Sequence, residues 1–371
     1  MIKVINVISD TNIGGAGRVI INVLKKYNRN KFDIKVMLPL KSKLIKEVET
    51  LGVKILEVDG IADKSLDLKA VLKILKIFRK EKPDIVHTHA SMSAKIAAKL
   101  CGAKTVYTRH SVFPQKRLLT TFPGKQLNGM LNNILSNKII AVAEAAKQNL
   151  VDTGIPAKKI EVVLNGVEGL SEISDDEKKE LKAKYRIDEN DLVVSMIARL
   201  DRVKGHKYFI EAAKKIAAKG MPIKFLIAGT GNEEEQLKLL SKKLMIDNNV
   251  IFAGFVDNVN EIMNITDIIA NCSFGTEATS LALLEAMSIS KPAVVTDFGG
   301  NIDVIEDGLN GIVVPIKNSD AISQAIIKIF ENKDLMTYFR ENAQKIYREK
   351  FTSEIMTKKI EAIYENLLLS K

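Results

Sequence analysis

The sequence predicts an α/β protein made of two doubly wound domains, each a parallel sheet with helices on both faces. Three observations carry this. Short aliphatic runs alternate with amphipathic helical runs, which implies parallel strands buried on both sides. The alternation stops once, in a polar stretch near the middle, and then restarts. The chain is 371 residues long, too long for one ordinary core and suited to two.

In order, "KVINVIS" and "FDIKVML" read as strands joined by the helix "GRVIINVLKKY". The strand "VKILEV" is followed by "LKAVLKILKIFRK", whose apolar residues recur at helical spacing. The strands "DIVHTH", "TVYTRH", "KIIAVA" and "IEVVLN" complete the first half. The interruption "GVEGLSEISDDEKKELKAKYRIDENDL" is polar and helix-capable, and sets boundaries of 1–170 for the first domain and 171–350 for the second. Thereafter come "LVVSMIARL", the helix "GHKYFIEAAKKIAAKG", "IKFLIAG", the helix "NEEEQLKLLSKKLM", "NVIFAGF", "DIIANCS", "PAVVTDF" and "GIVVPI". Three helical runs end the chain. In such sheets ligands bind at the carboxyl ends of the strands, so two tandem domains predict a central cleft.

The apolar runs fall far short of the ~20 residues of a membrane span. The start "MIKVINVIS" turns polar early and reads as a first strand, not a signal peptide. Cys101 and Cys272 form neither a disulfide framework nor a metal spacing. These features predict a cytoplasmic protein without a metal site or cofactor. The net charge of +11 is unevenly placed. Residues 1–170 hold 29 Lys and Arg against 14 Asp and Glu, or +15; residues 171–371 hold 27 against 31, or −4. No acid occurs between Asp84 and Glu144, where Lys95, Lys99, Lys104, Arg109, Lys116, Arg117, Lys125 and Lys138 fall. Such a segment suits anionic lipid, an anionic acceptor or nucleic acid, or reflects a lysine-rich surface. Nucleic acid is disfavoured because no aromatic platform accompanies the charge.

Several motifs carry chemistry. In "SDTNIGGAGRV", Gly14 and Gly15 follow the first strand and open a helix, where free N–H groups favour anions. Ile20 occupies the place of a third fingerprint glycine, and the second strand lacks a terminal acid, so a nicotinamide enzyme is disfavoured. His87, His89 and His110 end or follow two successive strands, where an imidazole can meet substrate hydroxyls or phosphate. "SMIARLDRVKGH" sets Arg199 beyond a strand and Lys204 at a helix start, two cations suited to a diphosphate. Gly229, in "AGTGNEEE", opens a turn whose acids argue against phosphate at the following helix. "GTEATSLALLEAM" holds Glu277 and Glu285 eight positions apart. Thr279 or Ser280 can cap the helix. Glu277 then stands in the preceding loop, Glu285 on the helix, and the N–H groups of Ala278 to Leu281 open between them.

Together these motifs resemble glycosyltransferase family 4, the retaining nucleotide-sugar transferases of GT-B fold. The match comprises the paired glutamates, "ARLDRVKGH", "IEVVLNGVE", "VYTRHS", "PDIVHTHA", "TDFGGNIDVIEDGLNGIVV" and "GGAGR", in the family's order from about Ile5 to Pro315. The resemblance implies two Rossmann-like domains, an acceptor-binding one at 1–170 and a donor-binding one at 171–350, with 351–371 as a helix crossing back to the first. It implies that Arg199 and Lys204 hold the donor diphosphate, Glu285 the ribose and Glu277 the transferred sugar. Ala278, Thr279, Ser280 and Leu281 would face the sugar or phosphates, Val256 of "GFVDN" the base, and Gly229 the same donor. His110 would contact the donor sugar or act near the acceptor, so the catalytic pair is His110 and Glu277. Gly14, Gly15, Arg18, His89 and Asn165 would serve the acceptor or a phosphate loop. The expected donor is a UDP-sugar, the acceptor an envelope glycan, glycolipid or lipid-linked molecule, and the metal requirement none. The segment mixing Phe113, Phe122 and leucines with cations predicts docking on an anionic membrane face. The chain departs from the family at "ATS" after Glu277, at Ala143 and at Glu168. A UDP-N-acetylglucosamine 2-epimerase of the same fold and a non-catalytic nucleotide-sugar-binding protein are the alternatives.

Overall fold

The computed structural model describes residues 1–62, 65–112 and 114–369; Phe113 lies outside them. The chain divides into two compact units, residues 1–167 with 352–371, and residues 168–351.

The first unit begins β1 (Ile2–Ile8), α1 (Gly15–Lys26), β2 (Phe32–Pro39), α2 (Leu44–Thr50), β3 (Ile55–Val58), α3 (Leu68–Glu81) and β4 (Ile85–His89). It continues with α4 (Met92–Cys101), β5 (Lys104–Arg109), α5 (Arg117–Thr120), α6 (Gly124–Leu135), β6 (Lys138–Ala141), α7 (Glu144–Asp152) and β7 (Ile160–Val162). All seven strands pair in parallel in the order β3-β2-β1-β4-β5-β6-β7. The inner strands β1 and β4 are buried on both faces, as their near-continuous Val and Ile content requires. Side chains of polar residues begin the helices: the Asp67 carboxylate accepts from the Lys69 and Ala70 amides, and the Ser91 hydroxyl from Ala94. These satisfy N–H groups that a helix start leaves open.

The second unit runs α8 (Asp175–Lys184), β8 (Leu192–Ile197), α9 (His206–Ala217), β9 (Ile223–Ala228), α10 (Glu234–Lys243), β10 (Val250–Gly254) and α11 (Val259–Ile265). Then come β11 (Ile268–Asn271), α12 (Leu281–Ser288), β12 (Ala293–Thr296), α13 (Asn301–Val304), β13 (Gly311–Val314), α14 (Ser319–Glu331) and α15 (Lys333–Lys350). Its parallel order is β10-β9-β8-β11-β12-β13. Helix α8 lies within the polar interruption and starts with a reciprocal cap between Ser174 and Glu177. The core gathers Phe209, Phe225, Ile227, Val294, Ile326 and Phe339.

The last helix, α16 (Ser353–Leu369), belongs to the first unit. Lys26 pairs with Glu354 and Lys31 with Glu365, both at 2.9 Å, and the Asn28 amide donates to Glu361 at 2.7 Å. Tyr364 is buried against Phe32, their ring centroids 5.9 Å apart. In both sheets the strand order turns back on itself once, between β1 and β4 and between β8 and β11. The carboxyl ends flanking such a turning point form a crevice that takes ligands.

Candidate functional site

In the second unit that crevice holds Lys204 and Glu277. Lys204 closes a short 3-10 turn, Arg202–Lys204, after β8, two residues before the start of α9 and not at the helix start expected of it. Glu277 stands in the loop between β11 and α12. The Lys204 Nζ donates to Glu277 Oε2 at 2.9 Å and to the Thr276 carbonyl at 3.0 Å. The same carboxylate oxygen accepts from the Ser273 hydroxyl at 2.9 Å and the Asn271 amide at 3.1 Å. Glu277 is only 8% exposed, so these contacts replace the water a buried carboxylate loses.

Two glycines allow the approach. Gly205 has φ +82°, and a Cβ there would collide with the Cys272 carbonyl oxygen. Gly299 has φ +59°, and its Cβ would collide with the Glu277 carbonyl oxygen. That carbonyl also accepts from the Gly300 amide at 3.2 Å. Behind the loop, Thr296 donates to the Ser273 carbonyl at 2.6 Å. The acid is thus fixed by backbone as well as by side chains.

Ser280 caps α12, its hydroxyl accepting from Leu283 at 3.4 Å. Ala278 and Thr279 precede the cap, Leu281 opens the helix, and Glu285 is half-buried on its second turn. Glu277 and Glu285 therefore lie on different elements. Arg199 is 78% exposed in the loop after β8 and meets Asp201 at 3.3 Å. Gly229 lies in the turn after β9, donating its amide to Gly254 at 2.7 Å, and half-buried Val256 follows β10. No contact joins Val256 or Gly229 to the Lys204–Glu277 pair among those described.

The first unit brings three other expected residues together. His89 Nδ1 and His110 Nε2 are 2.7 Å apart, and His89 Nε2 lies 3.3 Å from Asn6 Oδ1. His87 stacks on His89 with centroids 4.4 Å apart, and bonds Tyr364 and Thr108, each at 2.6 Å. Burial holds all three imidazoles neutral: it pushes His87 down to about 3 and His110 to about 4, and leaves His89 well below the usual value. Asn165 is buried beside Asn6, His87 and His89 around a cavity of ≈ 20 Å³. Its Oδ1, the Asn6 Nδ2 and the His110 Nδ1 have no partner among the described residues. Gly14 and Gly15 start α1 with no side-chain cap and with open space where a Cβ would stand. Exposed Arg18 pairs with Glu47 at 3.3 Å.

Residues that the sequence did not single out complete both clusters. Asn271 and Ser273 sit in "DIIANCS" at the end of a recognisable strand, which was the available signal. Asn6 and Tyr364 carried none, since one lies inside an aliphatic strand and the other near the chain's end.

The buried histidines give a pH prediction. A neutral buried imidazole has a folded pKa below its unfolded value near 6.5. The unfolded chain then binds more protons between that value and the folded one, so stability is full above about pH 6.5 and falls as pH drops toward 4. Each such group contributes up to about 1.4 kcal/mol per pH unit. His206, pushed down to about 4 by burial, is the one such histidine of the second unit; the first unit has three. Acid titration followed by hydrogen exchange is expected to open the first unit before the second. Simultaneous opening at a pH-independent free energy would contradict it.

Two doubly wound parallel sheets of this order and connectivity define the GT-B glycosyltransferase architecture. The family model "Glycosyltransferase Family 4" matches residues 13–168, and "Glycosyl transferases group 1" matches residues 177–346. The chain belongs to the family 4 glycosyltransferases. It is 26% identical over 313 residues to the N-acetyl-alpha-D-glucosaminyl L-malate synthase of Bacillus anthracis, covering 81% of this chain and 80% of that one. It is 26% identical over 315 residues to the UDP-Gal:alpha-D-GlcNAc-diphosphoundecaprenol alpha-1,3-galactosyltransferase of Escherichia coli, covering 82% and 81%. Among solved structures, a glycosyltransferase from Rickettsia africae superimposes with TM-score 0.85 at 23% identity, over 100% of this chain and 99% of that one. The Anabaena HepE protein in complex with UDP-glucose does so with TM-score 0.86 at 20% identity, over 99% and 100%.

Proposed function

We propose that the protein is a retaining, metal-independent glycosyltransferase that moves a sugar from a UDP-sugar to an envelope glycan or lipid-linked acceptor. The observation that carries this is the Lys204–Glu277 pair at the turning point of the second sheet, beside the N-terminus of α12. A lysine with one N–H direction left over and a helix start suit a diphosphate. The UDP named with the Escherichia coli and Anabaena proteins supports uridine in the donor.

In the proposed reaction the bond between the sugar carbon and the diphosphate oxygen breaks through an oxocarbenium-like state. Arg199 and Lys204 offset the charge growing on the leaving diphosphate. The acceptor hydroxyl attacks from the same face and passes its proton to the departing phosphate, which retains configuration. Glu277 orients Lys204 and meets the transferred sugar, Glu285 holds the ribose, and His110 serves as the second catalytic residue. Among the described residues no group of three or more His, Cys, Asp or Glu is arranged to hold a metal ion.

Thermal shift against nucleotide sugars tests the donor. A ligand at about 100 times its Kd adds about 2.7 kcal/mol, so UDP-sugars are expected to raise Tm where other nucleotide sugars do not. Turnover with the selected donor is expected to survive EDTA; its loss would refute metal independence. Product formed without any acceptor would turn the reading toward an epimerase, and donor binding without turnover toward a binding protein.

The proposed acceptor side lies on a membrane. Helix α6 exposes Leu127, Met130, Leu131 and Ile134 as one stripe, and Phe122 before it is 82% exposed. Lys116, Arg117 and Lys125 flank these residues within the acid-free segment. No helix among the described residues is long and apolar enough to cross a membrane, whereas an apolar stripe with adjacent cations suits peripheral docking on anionic lipid at the cytoplasmic face. Co-sedimentation with phosphatidylserine vesicles is expected to drop several-fold in Phe122→Glu and at high salt. Equal sedimentation with neutral vesicles would refute this docking.

A further inference from the structure

Successive residues of a strand point to opposite faces, so β5 divides the first unit's chemistry in two. Thr108 joins the imidazoles on one face. Tyr107 and Arg109 turn to the other, where α4, α6 and α7 enclose a cavity of ≈ 380 Å³. Lys95 enters it from α4 and is 4% exposed. Its Nζ donates to Asn132 Oδ1 at 3.0 Å and stands 4.3 Å from the centre of the Tyr107 ring. Arg109 lies alongside, its Nε donating to the Ser111 carbonyl at 3.0 Å. Asn128, Asn149 and Gln115 add neutral amides to the wall. No carboxylate lines the cavity among the described residues.

Burying an ammonium is costly unless it is paired with an acid. Here the partners of Lys95 are an amide oxygen and a ring face, with a second cation close by. Burial, and next the Arg109 charge, push Lys95 down to about 8. The Lys95 ammonium is therefore buried with no carboxylate among the described residues that line the cavity. A pocket of this volume is large enough for a phosphate together with the group that carries it, and a lysine and an arginine among amides are the side chains that hold one.

We propose that the Lys95–Arg109 cavity binds a phosphate group of the acceptor. The proposal rests on the transferase reading, and it sets the acceptor class as a phosphate-bearing molecule. The attachment of that phosphate, to a lipid or to a soluble sugar, is left to the test. Helix α6 presents its polar Asn128 and Asn132 to this cavity and its apolar stripe to solvent.

The test uses the full chain saturated with UDP, which occupies the diphosphate site of the second unit, and inorganic pyrophosphate as probe in calorimetry. Wild type and the exposed-site control Lys99→Met are expected to bind the probe; Lys95→Met and Lys95→Gln are expected to bind it at least tenfold more weakly. UDP affinity is expected to stay within twofold in all of them, which reports an intact fold. Without probe, Lys95→Met is expected to melt no lower than wild type, because it removes an uncompensated buried charge. Vesicles carrying phosphatidic acid give the second arm. Lys95-dependent vesicle binding assigns the phosphate to a lipid, and Lys95-dependent pyrophosphate binding without it to a soluble acceptor; both sustain the site. Equal probe binding by wild type and Lys95→Met, or none by either, overturns it. Failure of UDP to bind wild type would instead count against the transferase reading alone.

Discussion

Lys204→Met is expected to lower kcat/KM by roughly 10²–10³-fold, the usual cost of removing one fixed donor to charge that grows during reaction. It also leaves Glu277 buried with only the neutral donors Ser273 and Asn271. Stripping one partner from a buried pair costs up to about 3–5 kcal/mol, whereas removing both charges is often near neutral. The double variant Lys204→Met with Glu277→Gln is therefore expected to regain most of the lost stability and none of the lost activity. Glu277→Gln alone is expected to lose activity comparably, since the Lys204 ammonium then keeps only neutral acceptors, the Thr276 carbonyl and the new amide oxygen, and loses the charge that fixes it. The double variant should be no slower than the worse single one, because the two residues act as a unit. Denaturant unfolding and steady-state kinetics on the four proteins check this. Additive losses in kcat/KM, or a double variant as unstable as Lys204→Met, would sink the paired role.

His110→Ala is expected to lower kcat by about 10²-fold while UDP affinity stays within threefold, general acid–base or hydrogen-bond roles being worth about that much. The hydrogen bonds set the proton positions. With Asn6 presenting its oxygen, His89 donates from Nε2, so its Nδ1 accepts from His110 Nε2–H. The His110 Nδ1 lone pair is then the buried end of the chain, unpartnered among the described residues. His89→Leu leaves His110 in place but frees its tautomer, and is expected to cost about tenfold in kcat with little change in KM. Long-range ¹H–¹⁵N spectra are expected to show the proton of His110 on Nε2 in wild type and on both nitrogens in His89→Leu. A wild-type proton on Nδ1, or a His89→Leu enzyme that merely melts earlier, would refute the positioning role.

Strands were legible because a doubly wound sheet buries both strand faces, and "FLIA" or "DIIAN" has no other economical place in a protein. The two glutamates were legible as residents of a loop and a helix because Ser280 is a recognisable cap. Their partners were not. Lys204 and Glu277 meet across 73 positions only because β11, and not β9, lies inward of β8, and residue periodicity carries no strand order. The same holds for the imidazoles. Two histidines ending adjacent strands were visible, but Asn6 and Tyr364, which fix them, arrive through β1 and α16. Lys95 looked like one cation of a basic surface; its burial follows from how α6 closes over α4, and the acid-free composition of that segment gave only the charge.

Helix α16 carries one further consequence. It supplies Tyr364 to the first unit's core, yet it is synthesised after all of residues 168–351. On the ribosome the second unit can close as soon as its own strands emerge, while the first must hold an unfilled groove along α1 until the last turn is made. The half of the molecule translated first is therefore the half completed last.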